Sequence, residues 1–259
     1  MITPRKVFNR IKRTLAANDS LALKALNPRL VRLETVFKAP PLTAGLASAI
    51  KLISPHCDFS AGNQEQREIW QADQNGACWG EYEALGPILD SLEEPNSVLE
   101  IGPGMGRTVI FLAKKRGWPG NRFSVYEGDG TETRYTSNGP RVGDSFCGNI
   151  GMLREVLEYN KVEGVEVYDA SNISLGALPK QFDLIYSFYC VGFHWALREF
   201  MPEIIPLMKD GGTAIFTVTD DFHDFEAIES LDYSFVSWKT AWPKDGELRF
   251  LVVKKRGPF

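Results

Sequence analysis

Three glycines and a carboxylate in one short stretch carry the chemistry that the sequence shows most clearly. Residues 97–108 read SVLEIGPGMGRT, in which Glu100 precedes Gly102, Gly104 and Gly106. The apolar residues before the glycines predict a short buried strand, and the residues after them predict a helix. A glycine turn between a strand and a helix lets a ligand approach the main chain and the free N–H groups of the helix. The stretch therefore predicts a nucleotide-binding turn.

The spacing of the glycines separates two classes of nucleotide ligand. A dinucleotide fingerprint GxGxxG that begins at Gly102 needs its third glycine at position 107, but that residue is Arg107 and the glycine is Gly106. Glu100 is also a poor neighbour for a pyrophosphate and a good neighbour for a cationic group. An NAD-linked oxidoreductase is therefore disfavoured.

With Glu100 included, the stretch has the form ExGxGxG and is similar to motif I of the class I S-adenosylmethionine (SAM) dependent methyltransferases. In that family the acidic residue lies by the methionine part of the cofactor, whose ammonium and sulfonium are both positive. The resemblance implies SAM as the cofactor and a cofactor site that includes Glu100, Gly102, Pro103 and Gly104.

A second acidic residue follows the next predicted strand. The strand predicted over 123–126 leads into Glu127 and Gly128. A carboxylate at this strand tip suits bidentate hydrogen bonding to ribose hydroxyls, and families that bind NAD also use one. We therefore expect Glu127 and Gly128 at the cofactor, with Asp129 as the alternative ribose ligand.

A third acidic residue follows the strand predicted over 165–168, after a long polar segment at 128–148 that is either a lid or an insertion. Here Asp169 is followed by the small Ala170. This pair resembles the adenine-binding position of the family, which implies that both residues contact the cofactor. The alternative is that Asp169 only caps its own loop.

The segment Pro179–Trp195, PKQFDLIYSFYCVGFHW, is similar to motif IV of the same family. Its fourth strand ends in residues that touch both cofactor and acceptor in the family. The resemblance implies that Ser187 and Phe188 contact the cofactor. Aromatic residues expected to line the acceptor pocket are Trp79, Tyr82, Tyr189, Phe193 and Trp195. For Trp79 and Tyr82, packing of helix against sheet is the alternative.

A hydroxyl acceptor would need a base to remove its proton, and the chain has three histidines, His56, His194 and His223. His194 follows the fourth strand and is the candidate base, with a structural histidine as the alternative. The acidic run at 220–224 could hold a metal, but a solvated acidic helix start is preferred and no metal is expected.

The remaining pattern completes a fold prediction. Residues 207–212, LMKDGG, resemble the turn before the fifth strand of the family, and 233–241 with 247–254 predict a hairpin. The resemblance implies an α/β fold, a doubly wound Rossmann-like methyltransferase sheet of seven strands. Its expected strand order is 3-2-1-4-5-7-6 with the last strand antiparallel. The SAM-binding methyltransferase domain is predicted over 64–259, preceded by a helical N-terminal extension over 1–63.

The N-terminal extension is basic. Residues 1–40 hold nine Lys/Arg against two acidic residues, and apolar residues at helical spacing predict one or two amphipathic helices over 4–38. A solvated face of helices packed on the main domain is the preferred interpretation. Contact of the basic residues at 5–38 with an anionic surface is the alternative. A further helical stretch at 63–92 is expected to be interrupted around Asn75 and Gly76.

The composition of the chain limits its possible binding partners and its cellular compartment. The 259 residues carry a net charge of −4, and the basic extension leaves the rest more acidic still, which argues against a nucleic-acid partner. No apolar run approaches the roughly 20 residues of a membrane span. The cysteines, Cys57, Cys78, Cys147 and Cys190, show no paired spacing. We expect a cytoplasmic protein with reduced thiols, and a homodimer is one option for its oligomeric state.

Together these features predict a SAM-dependent methyltransferase that acts on a small-molecule acceptor. A hydroxyl oxygen of a natural product or sugar derivative is the preferred acceptor, while the sequence leaves N- and C-methylation open. The alternative function is a SAM-binding domain without catalysis, acting as a sensor or a partner subunit.

Overall fold

Short apolar runs build a sheet whose middle strand leads directly into the glycine turn. A computed structural model of the chain describes residues 35–41, 64–128, 135–136, 139–140, 150–193, 195–219, 222–238 and 248–257. The strand before the glycines is buried at each of its four residues. Burial at every position is typical of a parallel strand that helices cover on both faces.

Seven strands form this sheet, and their order confirms the predicted fold. The strands are β1 Val98–Ile101, β2 Phe123–Glu127, β3 Glu166–Asp169, β4 Phe182–Ser187, β5 Met208–Val218, β6 Asp232–Trp238 and β7 Leu248–Lys254. Their order is 3-2-1-4-5-7-6. β7 runs antiparallel to both of its neighbours, and the other neighbouring pairs are parallel. Residues 135–136 and 139–140 form a separate short antiparallel pair.

Helices cover both faces of the sheet. The described helices are α1 Gln64–Asp90, α2 Arg107–Arg116, α3 Ile150–Tyr159 and α4 Leu197–Leu207. One buried cluster joins α1, α2 and α3 to the face that carries Val98, and the other joins α4 to the face that carries Leu99. Alternate residues of β1 thus enter two different cores, which is the doubly wound arrangement that the sequence predicts. None of the described helices is long and apolar enough to cross a membrane.

The register of the strands brings the predicted site residues to one edge of the sheet. Glu127 is paired with Asp169 across β2 and β3, and Ile101 is paired with Tyr126 across β1 and β2. β4 ends beside β1, with Tyr186 opposite Glu100. The carboxyl ends of parallel strands are where ligands bind in open α/β sheets. The glycine turn and the acidic strand ends therefore share the edge at which a ligand is expected.

The predicted interruption of α1 at Asn75 and Gly76 is wrong. α1 continues through both residues to Asp90. The buried Asn75 side chain accepts hydrogen bonds from the N–H groups of Val36 at 2.9 Å and Phe37 at 3.0 Å, and it donates to the carbonyl oxygen of Phe37 at 2.7 Å. Asn75 therefore serves a tertiary contact, which offsets its low intrinsic helix propensity.

Residues 35–41, here called the clamp segment, have no helical structure. The predicted helix over 4–38 is therefore wrong at its C-terminal end, and its residues before 35 lie outside the described part. Asn160 and Gln71 accept hydrogen bonds from the N–H groups of Lys38 at 2.8 Å and Ala39 at 2.9 Å. Phe37 is fully buried. Residues 35–41 of the predicted extension thus pack into the core of the domain, and residues 42–63 lie outside the described part.

We expect Asn75→Ala to lower the free energy of unfolding by about 2–4 kcal/mol. The substitution leaves two N–H groups and a carbonyl of the clamp segment without their partner in a buried site, at about 1–3 kcal/mol per buried group before relaxation. Chemical denaturation measures the loss. Gln64→Ala is the control, because Gln64 is exposed and its amide donates to the exposed Glu68 side chain at 2.9 Å. Equal stability of the two variants would show that the hydrogen bonds between Asn75 and the clamp segment contribute nothing.

Candidate functional site

The glycine turn between β1 and α2 has a backbone that favours glycine at each of its three glycine positions. The φ angles are 70° at Gly102, 55° at Gly104 and 71° at Gly106, all in the left-handed region. The Gly102 N–H donates to the carbonyl oxygen of Tyr126 at 2.9 Å, which fixes the turn to β2. The predicted strand, turn and helix are confirmed, and the glycines are needed for the shape of the turn.

Glu127 closes over this turn from the tip of β2. Its carboxylate accepts hydrogen bonds from the N–H groups of Gly104 at 2.8 Å and Gly128 at 2.9 Å. Burial raises the pKa of Glu127 to about 7, although the two N–H donors act in the opposite direction. Glu127 is thus held against the glycine turn, and its role as a ribose ligand stays a prediction.

Glu100 lies in β1 and is buried below the turn. The Tyr186 hydroxyl donates to its carboxylate at 3.1 Å. Burial raises the pKa of Glu100 to about 8, and the neighbouring carboxylates of Glu81 and Glu127 raise it further, against a lowering by the Tyr186 hydrogen bond and Arg107. A carboxyl in this position holds its proton at neutral pH unless a cation comes close.

Glu81 is a site residue that sequence reasoning missed. It lies in α1, its side chain is 4% exposed, and it forms an ion pair with Arg107, the first residue of α2. The Tyr189 phenol also hydrogen-bonds to Glu81, and burial raises the pKa of this carboxyl despite both partners. Glu81 and Arg107 are 26 positions apart in the chain, so no local sequence pattern predicts their ion pair.

Glu81, Glu100 and Glu127 with Arg107 form what we call the acidic cluster. All three carboxyl groups are buried, and Arg107 lowers the pKa of both Glu81 and Glu100. When ionised, the three carboxylates exceed the single positive charge of Arg107. Buried charge of one sign is stable only when a partner of the other sign is near. The cluster is therefore suited to bind a cationic group beside the glycine turn.

The side chains at the end of β4 mainly make packing contacts and hydrogen bonds within the protein. Ser187 is fully buried, donates from its hydroxyl to the carbonyl oxygen of Ile101 at 2.8 Å and accepts from the Val191 N–H at 3.0 Å. Phe188 stacks on Tyr186 with ring centroids 5.1 Å apart. Both predicted cofactor residues thus lie at the expected edge, where their side chains hold β4 and its loop against the sheet.

Cys190 contacts the glycine turn from the same loop. A β-carbon on Gly102 would lie 2.4 Å from the Cys190 sulfur. Burial raises the pKa of the Cys190 thiol to about 12, so the thiol is uncharged. The thiol therefore acts as a packing group against Gly102.

The predicted acceptor aromatics are only partly brought together. Tyr189 packs edge-on against Phe193 with ring centroids 5.4 Å apart. The Trp195 backbone folds back onto this loop, since the Gly192 N–H donates to the Trp195 carbonyl oxygen at 2.8 Å. Tyr82 instead packs against Phe111 of α2, with ring centroids 6.2 Å apart. The Trp79 side chain and His194 lie outside the described residues.

Asp169 mostly binds its own loop. Its carboxylate accepts from the N–H and the hydroxyl of Ser171 and from the Asn172 side chain at 2.8 Å. The hydrogen bonds from the Ser171 hydroxyl and N–H hold the pKa of Asp169 below its ordinary value. The Ala170 N–H donates to the Glu127 carbonyl oxygen at 2.9 Å, which fixes the loop beside the tip of β2. An adenine-binding role for Asp169 and Ala170 stays a prediction.

The acidic run after β5 has one described ion pair. Asp224 binds Arg198 at 2.8 Å, and residues 220 and 221 lie outside the described part. Among the residues that the structure describes, no group of three or more His, Cys, Asp or Glu side chains has an arrangement that could hold a metal ion.

Comparisons with known proteins concern the fold. No protein-family model matches the sequence, and the search of curated proteins gave no match. A methyltransferase from Pyrococcus furiosus is 16% identical, with a TM-score of 0.47, and the match covers 81% of this chain and 94% of that one. The N-methyltransferase NodS from Bradyrhizobium japonicum, in complex with S-adenosylhomocysteine, is 12% identical, with a TM-score of 0.44 and coverage of 71% and 87%.

A transferase structure from Pyrococcus horikoshii is 14% identical, with a TM-score of 0.45, and the match covers 69% of this chain but only 64% of that one. Identities this low describe the fold alone, and TM-scores below 0.5 say nothing further about activity. The seven-stranded order of the sheet establishes the methyltransferase-like fold, and the residues of the site must support a function by themselves.

Proposed function

We propose that the protein is a SAM-dependent methyltransferase that transfers a methyl group to a hydroxyl oxygen of a small molecule. The observation that carries the proposal is the acidic cluster, in which buried carboxyl groups from α1, β1 and β2 lie beside the glycine turn and Arg107 acts on the first two. This arrangement combines a nucleoside site with a site for positive charge.

The residues of the site fit SAM by charge. The methionine part of SAM carries an ammonium and a sulfonium, which would offset the excess of buried carboxylates at Glu81 and Glu100. Glu127 at the tip of β2 would bind the ribose hydroxyls, and Asp169 with Ala170 would lie at the adenine. A dinucleotide would instead bring two phosphate charges to the buried carboxylates, where like charges repel.

The proposed reaction depends on positioning of the two reactants more than on a covalent bond between the protein and a reactant. Bound SAM supplies a methyl group on a positively charged sulfur. The protein must hold the acceptor oxygen about 3–3.5 Å from that methyl in a dry site. Tyr189 and Phe193 supply apolar surface for the acceptor next to the acidic cluster. His194, next along this loop, is the proposed base that takes the hydroxyl proton.

Calorimetric titration with four ligands tests the proposal. SAM, S-adenosylhomocysteine and 5′-methylthioadenosine share adenosine, but the last lacks the amino-acid part, and NAD is the competing nucleotide. We expect binding of SAM and S-adenosylhomocysteine, weaker binding of methylthioadenosine and none of NAD. Failure of both amino-acid-bearing ligands to bind would remove the proposal. Binding without turnover across a panel of hydroxylated acceptors would instead favour a sensor or partner subunit.

Glu127→Gln is expected to weaken all three adenosyl ligands by about 1–3 kcal/mol, because each carries the ribose and a charge-assisted hydrogen bond is lost. The same titrations measure the effect. Glu83→Gln, a substitution of an exposed carboxylate in α1, is the matched control and should leave all affinities unchanged. Unaltered methylthioadenosine binding in Glu127→Gln would contradict the ribose assignment.

A further inference from the structure

The loop after β4 contacts the glycine-turn side of the site through three consecutive side chains. Phe188 stacks on Tyr186, whose hydroxyl binds Glu100. Tyr189 binds Glu81, and Cys190 packs against Gly102. The same loop carries the predicted acceptor residues. Its conformation and that of the acidic cluster are therefore linked by direct contacts.

Tyr189 has the least favourable backbone of the three. Its φ is 59°, in the left-handed region that side chains with a β-carbon rarely adopt. Strained positions of this kind persist where surrounding contacts hold them and are common at functional sites. At Tyr189 those contacts come from three sides: Glu81 at the phenol, Arg107 with its guanidinium 5.7 Å from the ring centroid, and Phe193 at the ring edge.

Tyr189 contacts the charged groups of the site. Glu81 forms the ion pair with Arg107, and Arg107 also acts on Glu100. The phenol donor and Arg107 thus both bind the Glu81 carboxylate. Without the phenol, Glu81 would lose a donor in a buried position and the Glu81–Arg107 pair would lose the contact that orients it.

We propose that Tyr189 is a positioning residue that holds the Glu81–Arg107 pair in the geometry needed to bind the amino-acid part of the cofactor, and so ties cofactor binding to the acceptor loop. This inference rests on the proposed function. It assigns to Tyr189 a role toward the cofactor in addition to its predicted place in the acceptor pocket. Because Tyr189 also contacts Phe193, a cofactor that orders the Glu81–Arg107 pair would also order the acceptor side of this loop.

Tyr189→Phe tests the proposal because it keeps the ring and removes only the hydroxyl. We expect S-adenosylhomocysteine to bind about tenfold more weakly, as for loss of one hydrogen bond to a charged group. Methylthioadenosine, which lacks the amino-acid part, should bind within twofold of the unchanged protein. Tyr233→Phe is the control, since Tyr233 is exposed in β6 and packs against Phe225 and Phe235.

A second variant separates positioning from packing. Asn tolerates the left-handed conformation better than most other residues that have a β-carbon, so Tyr189→Asn relieves the backbone while removing the phenol and the ring. We expect it to lose at least as much S-adenosylhomocysteine affinity as Tyr189→Phe and to keep methylthioadenosine binding. Equal weakening of both ligands in the two variants, or unchanged S-adenosylhomocysteine binding in Tyr189→Phe, would overturn the inference. If the unchanged protein binds neither ligand, the proposed function itself fails.

Discussion

Replacing Gly102 by Ala is expected to lower the free energy of unfolding by about 2–5 kcal/mol and to disrupt the glycine turn. Two costs combine at this position. The φ of 70° is unfavourable for any residue with a β-carbon, at about 1–2 kcal/mol. The new β-carbon would also lie 2.4 Å from the Cys190 sulfur and 2.6 Å from the Cys190 β-carbon, and such overpacking costs about 1–3 kcal/mol.

Gly117→Ala separates the two costs. Gly117 ends α2 with a φ of 68°, and a β-carbon there would meet nothing within 4 Å. This variant should therefore show only the backbone cost, and chemical denaturation of both variants gives the difference due to overlap. Adding Cys190→Gly to Gly102→Ala should recover part of that difference. Equal destabilisation at Gly102 and Gly117 would contradict a close contact between Cys190 and the turn.

The sequence predicts best the parts of the site that depend on local chemistry. β1, the glycine turn and the start of α2 follow one another in the chain, and the left-handed backbone at each glycine explains why glycine stands there. Glu127 and Asp169 could be placed at one edge because parallel strands bring their carboxyl ends together. The strand order came from the resemblance, and the sheet confirms it.

Long-range contacts account for what the sequence did not predict. Asn75 next to Gly76 has the local signal of a helix break, yet the hydrogen bonds to the clamp segment keep it within α1. Arg107 was notable only as the residue that spoils a dinucleotide fingerprint, whereas in the structure it pairs with Glu81 from another helix. Glu81 lies in the helix before β1, and glutamates in helices are far more often exposed at the surface than buried in ion pairs. The sequence therefore does not indicate its partner.

The acidic cluster should make the ligand-free protein less stable as the pH rises. Glu100 has a pKa of about 8 in the folded state, against an ordinary value of 4.5. Between these values the folded state keeps a proton that the unfolded state has lost, so stability falls as pH rises from about 4.5 to 8 and then levels off. The contribution of Glu100 is about 3–5 kcal/mol over this window. Glu127, with a pKa of about 7, adds a slope of the same sign.

Glu100→Gln is expected to remove the Glu100 part of this slope, because Gln resembles the protonated carboxyl and can still accept from Tyr186. Its stability should match the unchanged protein near pH 5 and exceed it by about 3–5 kcal/mol near pH 8.5. Thermal or chemical unfolding across pH 5–9 measures both. Glu83→Gln, which alters an exposed carboxylate of α1, should not change the slope.

The same substitution should have the opposite effect on cofactor binding. In the unchanged protein, S-adenosylhomocysteine affinity should rise between pH 6 and 8 as Glu100 loses its proton and becomes able to pair with the ligand ammonium. Glu100→Gln should lack the Glu100 part of this rise and keep the part due to ionisation of Glu127. It should bind S-adenosylhomocysteine about 1.5–3 kcal/mol more weakly at pH 8.5 and bind methylthioadenosine as well as the unchanged protein does. If the variant is more stable but no longer gains affinity from the amino-acid part of the ligand, Glu100 is kept at a cost to stability because it binds a cation. A variant that is more stable and binds S-adenosylhomocysteine equally well would place the cationic site elsewhere.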